Sequence, residues 1–161
     1  MKHRATPRMA VATALALAAS TLVTAPVGAE DDDSLSFVVG GEITSLNLAA
    51  DDRVIEIGTG WGGFAIHAAK HYGCHVTTTT ISKEQHDLAR RRIDEAGLGD
   101  SIDLRLQDYR DLEGRFDKLG SIEMIEAVGH EFLPEYLGRC SALLEDDGAC
   151  VLQAILMPDQ G

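Results

Sequence analysis

The sequence predicts an α/β fold, a doubly wound and mostly parallel sheet, on three observations. Short apolar runs alternate with helix-length segments from residue 53 onward. The first run enters a glycine-rich turn, RVIEIGTGWGGF over residues 53–64. The second run leads into a helix through a Ser-x-x-Gln start, SKEQ at residues 82–85. Strands that alternate with helices in this way are joined by right-handed crossovers, which put helices on both faces of a parallel sheet. The strand order expected for the class is 3-2-1-4-5.

The elements follow in order. MKHRATPR is basic, MAVATALALAASTLV is apolar and VGA ends at Ala29, the three parts of a secretory leader over residues 1–29. Its apolar run is shorter than the ~20 residues a membrane span needs. Residues 30–50 open with EDDDS and read as an acidic linker or entry segment, and residues 51–161 as the core domain. Within the core, residues 54–57 form a compact apolar strand, and a helix over 63–72 offers Phe64, Ile66, Ala68 and Ala69 for packing. The Val- and Thr-rich residues 75–80 are a second strand. Ser82 and Gln85 form a capping box that opens a helix running to Ala96 and stopped by Gly97.

Ile102, Leu104 and Leu106 alternate as a third strand. A fourth covers 116–124, weakened by Gly120 in its middle. Pro134 opens a further helix, EDDG at 145–148 is a turn, and 149–156 is a fifth strand. The expected fold lacks strands beyond the fifth. An exposed fifth strand predicts dimerisation or poor solubility.

Composition narrows the function. A chain of 161 residues holds one core domain rather than two. The net charge of −12 argues against nucleic acid as a partner, since phosphate affinity comes from Lys and Arg. It gives no attraction to an anionic membrane either. Cys74, Cys140 and Cys150 lack metal-ligand spacing and read as buried free thiols. No metal is expected. His67, His71, His75, His86 and His130 read as scattered surface residues without ligand geometry, and Arg90, Arg91 and Arg92 as a solvated helix face.

The glycine turn carries the chemistry. Gly58, Gly60 and Gly63 fit G-x-G-x-x-G in a strand-turn-helix context, and Glu56 extends the pattern to E-x-G-x-G-x-G through Gly62. A nicotinamide dinucleotide calls for an acid at the end of the second strand, to hold ribose hydroxyls. That strand ends TTTTIS, with no acid. A carboxylate at Glu56 suits a sulfonium and ammonium ligand better than a pyrophosphate, so the pattern favours S-adenosylmethionine.

The segments VIEIGTGWGGFAIHAA, VTTTTISKEQ, LQDYRDL, FDKLGSIEMIEAVG and VLQAI resemble cyclopropane fatty acid synthases and mycolic acid methyltransferases, in order and spacing, over residues 53–160. The resemblance implies a Rossmann-like class I methyltransferase core. It assigns Glu56, Gly58, Thr59, Gly60, Trp61, Gly62 and Gly63 to the first cofactor loop, and Thr80 and Gln85 to the ribose and methionine end. Asp108 and Tyr109 fall near the adenine. It implies a methyl or methylene transfer to the double bond of an unsaturated acyl chain, usually on a phospholipid, with peripheral membrane contact. It further implies a bound bicarbonate as base, with Glu126, Gln153 and Ile155 as its catalytic site.

The chain departs from that pattern in two places. Residues 30–50 contain no Tyr-Ser-Cys type segment, and Gln153 stands where many cyclopropane synthases have histidine. Plain methylation or methylenation therefore stays open beside ring formation. So do a truncated cofactor-binding module without turnover and a NAD-dependent oxidoreductase. Because S-adenosylmethionine is a cytosolic metabolite, the cofactor implies a cytoplasmic protein, against the export that the leader implies.

Overall fold

A computed structural model describes residues 46–155. The leader and most of the acidic entry segment lie outside them. Five strands form one sheet: β1 (Arg53–Ile57), β2 (His75–Thr80), β3 (Ile102–Leu106), β4 (Phe116–Ile122) and β5 (Leu144–Gln153). Their order is β3-β2-β1-β4-β5, and every neighbouring pair is parallel. The expected topology is the observed one. Parallel strands bring all five carboxyl ends to one edge of the sheet, where a doubly wound fold binds its ligands.

Helices α1 (Gly63–Tyr72) and α2 (Lys83–Glu95) cover one face and α3 (Leu133–Leu143) the other. Strand alternation divides β1 between them. Val54 joins Phe64, Ala65, Ala68, Ala89 and Ile93 in one core layer. Ile55 and Ile57 join Tyr136, Cys140 and Leu143 in the other. All three cysteines are free and buried, as expected.

The helix boundaries follow local chemistry. Gly73, at φ +76°, ends α1. After α2, the Gly97 amide donates to Asp94 O and the Leu98 amide to Ile93 O, both at 3.0 Å. That pair of bonds is a Schellman motif, and Gly97 at φ +68° supplies its left-handed residue.

The structure corrects three expectations. β4 stops at Ile122 rather than 124, because Glu123 turns to φ +49° and the chain enters a 3₁₀ turn, Ile125–Ala127. The EDDG segment is no separate turn. Phe116 pairs with Leu144 and Lys118 with Ala149, so residues 145–148 bulge out of a continuous β5. Its acids are held there by Arg115, whose Nη2 donates to Asp146 at 2.7 Å. Pro134 stands in the first turn of α3, which begins at Leu133, as expected.

Gly120 does not weaken β4 but seats α1 upon it. A Cβ there would lie 3.1 Å from the Phe64 ring, so the aromatic side chain packs directly against the strand backbone. Gly120→Val is therefore expected to destabilise the fold by about 1–3 kcal/mol through overpacking. A lowered urea midpoint at unchanged m-value would show it, and an unshifted midpoint would refute the packing role.

Candidate active site at the carboxyl edge of the sheet

After β1 the chain turns so tightly that Gly58, Gly60 and Gly62 all have positive φ, at +99°, +52° and +80°. One acceptor holds the start of the turn. Thr79 O takes the amides of Gly58 at 3.1 Å and Thr59 at 2.9 Å, tying the turn to β2. Gly62 then donates to Thr59 O at 2.9 Å and serves as N-cap of α1, with no side-chain cap. The first amides of α1 are thus left for a ligand, an arrangement suited to polar groups at a helix N-terminus.

The glycines divide into two kinds. A Cβ on Gly58 would come within 3.2 Å of Met124 Cβ, and one on Gly62 within 3.2 Å of Ala89 Cβ. These two let neighbouring segments close on the turn. Gly60 and Gly63 face open space: among the described residues, beyond their chain neighbours and the helix's own backbone, no atom lies within 4 Å of the added carbon. They form the seat that a bound molecule can approach along the backbone. Trp61 between them is half exposed, and its carbonyl accepts from Arg92 Nη1 at 2.6 Å. Arg92 thus braces the turn from α2. Arg90 reaches Leu104 O at 3.4 Å, so the arginine run is more than a solvated face.

Glu56 lies beneath the turn, facing inward. It is only 2% exposed and pairs across the sheet with Thr78. Thr78 Oγ1 donates to Glu56 Oε2 at 2.5 Å and shares a second hydrogen bond, 2.7 Å long, with Thr59 Oγ1. Burial pushes the carboxyl up to about 8, against the opposing pull of the Thr78 hydroxyl. Thr78 is a site residue the motifs miss. Its signal is the parallel register, which sets the fourth residue of β2 opposite the buried acid of β1.

At the end of β2, Thr80 Oγ1 donates to Gln85 Oε1 at 2.7 Å and accepts from the Ser82 amide at 3.1 Å. The capping box is therefore half formed. Ser82 Oγ caps the Gln85 amide, but the return bond expected from Gln85 is made by Thr80 instead. Gln85 is left fixed beside Thr80 at the ligand edge. After β3, Asp108 accepts from the Arg110 amide at 2.9 Å and caps a short 3₁₀ turn, Tyr109–Asp111. Tyr109 is buried edge-on against Tyr136, and its hydroxyl has no hydrogen-bond partner among the described residues.

The ends of β4 and β5 meet on the other side of the turn. The Glu123 amide donates to Gln153 O at 2.9 Å, and the Ile155 amide donates to Glu126 Oε1. Glu126, Gln153 and Ile155 are all exposed. The three residues assigned to a bicarbonate site thus share one end of one strand pair. Met124, packed on Gly58, connects that end to the glycine turn.

Among the described residues no three His, Cys, Asp or Glu side chains converge on a metal position. The histidines are not all scattered, however: His67 and His71 stack on α1 with ring centroids 4.5 Å apart.

The burial of Glu56 sets the sign of a pH effect. Below the ordinary value of 4.5 the carboxyl is neutral in both folded and unfolded chains. Between 4.5 and about 8 the unfolded chain loses the proton while the folded chain keeps it, so stability falls as pH rises. The slope from this group approaches ~1.4 kcal/mol per pH unit. Glu56→Gln is expected to remove that slope and to be more stable than the parent at pH 8. Urea titrations at pH 5 and pH 8 measure it; equal slopes would mean that Glu56 ionises freely in the fold.

The sequence profile of the mycolic acid cyclopropane synthetase family matches residues 40–161. The chain is 46% identical over 106 residues to tuberculostearic acid methyltransferase UfaA1 of Mycobacterium tuberculosis, covering 66% of this chain and 25% of that protein. It is 37% identical over 110 residues to the cyclopropane-fatty-acyl-phospholipid synthase of Escherichia coli K12, covering 68% of this chain and 28% of that one. Among solved structures, the cyclopropane synthase MmaA2 from Mycobacterium tuberculosis is similar at TM-score 0.64 and 26% identity, over 68% of this chain and 38% of that chain. Mycolic acid cyclopropane synthase CmaA1, complexed with SAH and CTAB, shares the fold at TM-score 0.64 and 24% identity, over 68% and 39% of the two chains. This chain spans about a quarter of the length of the curated relatives it matches. With the order of the sheet, the glycine turn and the matched span all in agreement, the chain belongs to the mycolic acid cyclopropane synthetase family, on a class I methyltransferase fold.

Proposed function

We propose that the chain is the S-adenosylmethionine-binding core of a methyltransferase acting on the double bond of an unsaturated acyl lipid. The observation that carries this is the open seat at Gly60 and Gly63, at the head of a helix with no side-chain cap. The residues fit such a ligand. The turn admits it along the backbone, and Thr80 and Gln85 stand at the neighbouring strand end with polar groups for its sugar and amino-acid parts. A nicotinamide dinucleotide is disfavoured, because β2 ends at Thr80 and runs on through Ile81 and Ser82, without an acid for the ribose.

Bound S-adenosylmethionine supplies an electrophilic methyl group. An isolated alkene is a weak nucleophile, so the chain's part is to hold the double bond in line and keep water from the cationic carbon that results. Trp61, Ile81 and Ile155 are exposed apolar residues along this edge, at 53%, 78% and 60%, and suit contact with an acyl chain or a membrane surface. In the same reading Glu126, Gln153 and Ile155 hold a bicarbonate that would serve as base. In that reading the Ile155 amide, which here donates to Glu126 Oε1, and the Gln153 side chain would hold the ion as donors, with Glu126 as the acceptor. A cytoplasmic location follows from the donor, which is made there.

Titration calorimetry of the full chain tests the cofactor reading. S-adenosylmethionine is expected to give binding heat that Gly60→Val abolishes, with none from NAD. Heat from NAD alone would reverse the assignment. For the reaction, methyl-labelled donor and vesicles of unsaturated phospholipid are expected to yield label in the acyl chains. Glu126→Gln is expected to lower that rate about 10²-fold, the lower end for loss of a general acid–base element, while donor binding persists. Binding without label in the lipid would identify a cofactor-binding module without turnover.

A further inference from the structure

Thr78 is assigned by no motif, yet it links the buried acid to the turn. Its hydroxyl is fully buried and bonds to both Glu56 and Thr59. Among the described residues the surroundings bring Glu56 no counter-charge. β2 places Thr78 opposite it and β4 places Gly120 there, while α1 covers that face with Phe64, Ala65 and Ala68. The charged residues of the flanking strands, Arg53, His75, Asp117 and Lys118, lie at the level of Val54 or before it, toward the amino ends. On α2, whose buried residues are Ala89 and Ile93, Arg92 is directed to the Trp61 carbonyl. In the turn itself the neighbouring side chains are Thr59 and Trp61.

We propose that Glu56, Thr78 and Thr59 form a proton relay beneath the glycine turn that releases one proton when a positively charged ligand seats above it, making Thr78 a specificity determinant for such ligands. This rests on the S-adenosylmethionine reading given above. Each threonine hydroxyl has one hydrogen to donate, so the chain has a direction. Thr78 donating to Glu56 is the arrangement of the carboxylate; in the neutral acid the same contacts run the other way, the carboxyl donating to Thr78 and Thr78 to Thr59. On ionisation the Glu56 proton passes to Thr78, the Thr78 proton to Thr59, and the Thr59 proton to water or a buffer base. The oxygens stay where they are, at 2.5 and 2.7 Å, and the direction reverses to Thr59, Thr78, Glu56 carboxylate.

The reversal resolves a conflict of charge. A carboxylate buried without a counter-charge is costly, so the ligand-free chain keeps the neutral form. A cation overhead supplies the partner and favours the ionised form. With the carboxyl near 8, about nine-tenths of the ligand-free chains carry the proton at pH 7. A cationic ligand can therefore release up to ~0.9 proton per site at that pH, and little above pH 9.

Calorimetric titration of the full chain with S-adenosylmethionine, in two buffers of different ionisation enthalpy, counts these protons. S-adenosylhomocysteine, which lacks the sulfonium charge but keeps the amino group, is the reference. The expected result is more than half a proton released per S-adenosylmethionine at pH 7. Less is expected for the reference, and close to none for either ligand above pH 9 once the ligand amino group is subtracted. Glu56→Gln removes the difference between the two ligands and Thr78→Val reduces it at least twofold. Binding with the same proton count for both ligands, or a count unchanged in Thr78→Val, overturns the relay and leaves the cofactor reading standing. Where Glu56→Gln fails to bind, Thr78→Val alone decides. Absence of binding by both ligands in the parent chain overturns the cofactor reading and the relay together.

Discussion

The carbonyl oxygen of Thr79 is the point to which the carboxyl edge of the sheet is fastened. It accepts two successive amides, Gly58 and Thr59, at the moment the chain leaves β1. Two donors on one oxygen force the backbone to reverse at once, and only residues without a Cβ adopt the φ values that follow cheaply. That reversal lowers Thr59 onto Thr78, raises Gly60 and Gly63 to the surface and aims α1 back over β4. Packing then locks the direction: Phe64, in the first turn of α1, lies on the bare backbone of Gly120. The seat for a ligand is thus a by-product of how one strand ends on its neighbour.

Much of this fold is legible in the sequence because its signals are local. The alternation of strand and helix, Ser82 at the start of α2, and Gly73 and Gly97 at helix ends each act within a few residues. The topology follows from handedness rules that hold for the whole class. Where reading fails, a distant partner decides. Gly120 looks like a weak point until Phe64 is known to lie over it. EDDG has the composition of a turn, but Arg115 and the resumed pairing with β4 absorb it into β5. Gln85 satisfies a capping pattern, yet Thr80 takes its place because the strand end delivers that hydroxyl to the same amide.

The candidate site shows the same division. The glycine pattern names the turn, but not which glycines admit a neighbour and which face open space; that depends on Met124 and Ala89 arriving from other elements. Glu56 is visible as an acid before the glycines, whereas its inward direction depends on the register of β1 against β2. Glu126, Gln153 and Ile155 come from resemblance rather than from spacing, and what joins them is the meeting of two strand ends. The two sides of the edge differ in character. The β1–β2 side is buried and cross-bonded, and the β4–β5 side is exposed and linked by single hydrogen bonds.

Between those two sides stands Glu123, the non-glycine residue that leaves β4 in a left-handed conformation at φ +49°. For an L-residue with a Cβ this costs about 1–2 kcal/mol. A glutamate codon becomes a glycine codon by one nucleotide change, so relief of the strain is a single mutational step away. That step would also remove a negative charge from the lip of the site and loosen the turn that delivers Met124 and Glu126. One single-nucleotide change would thus both relieve backbone strain and alter the rim of the site.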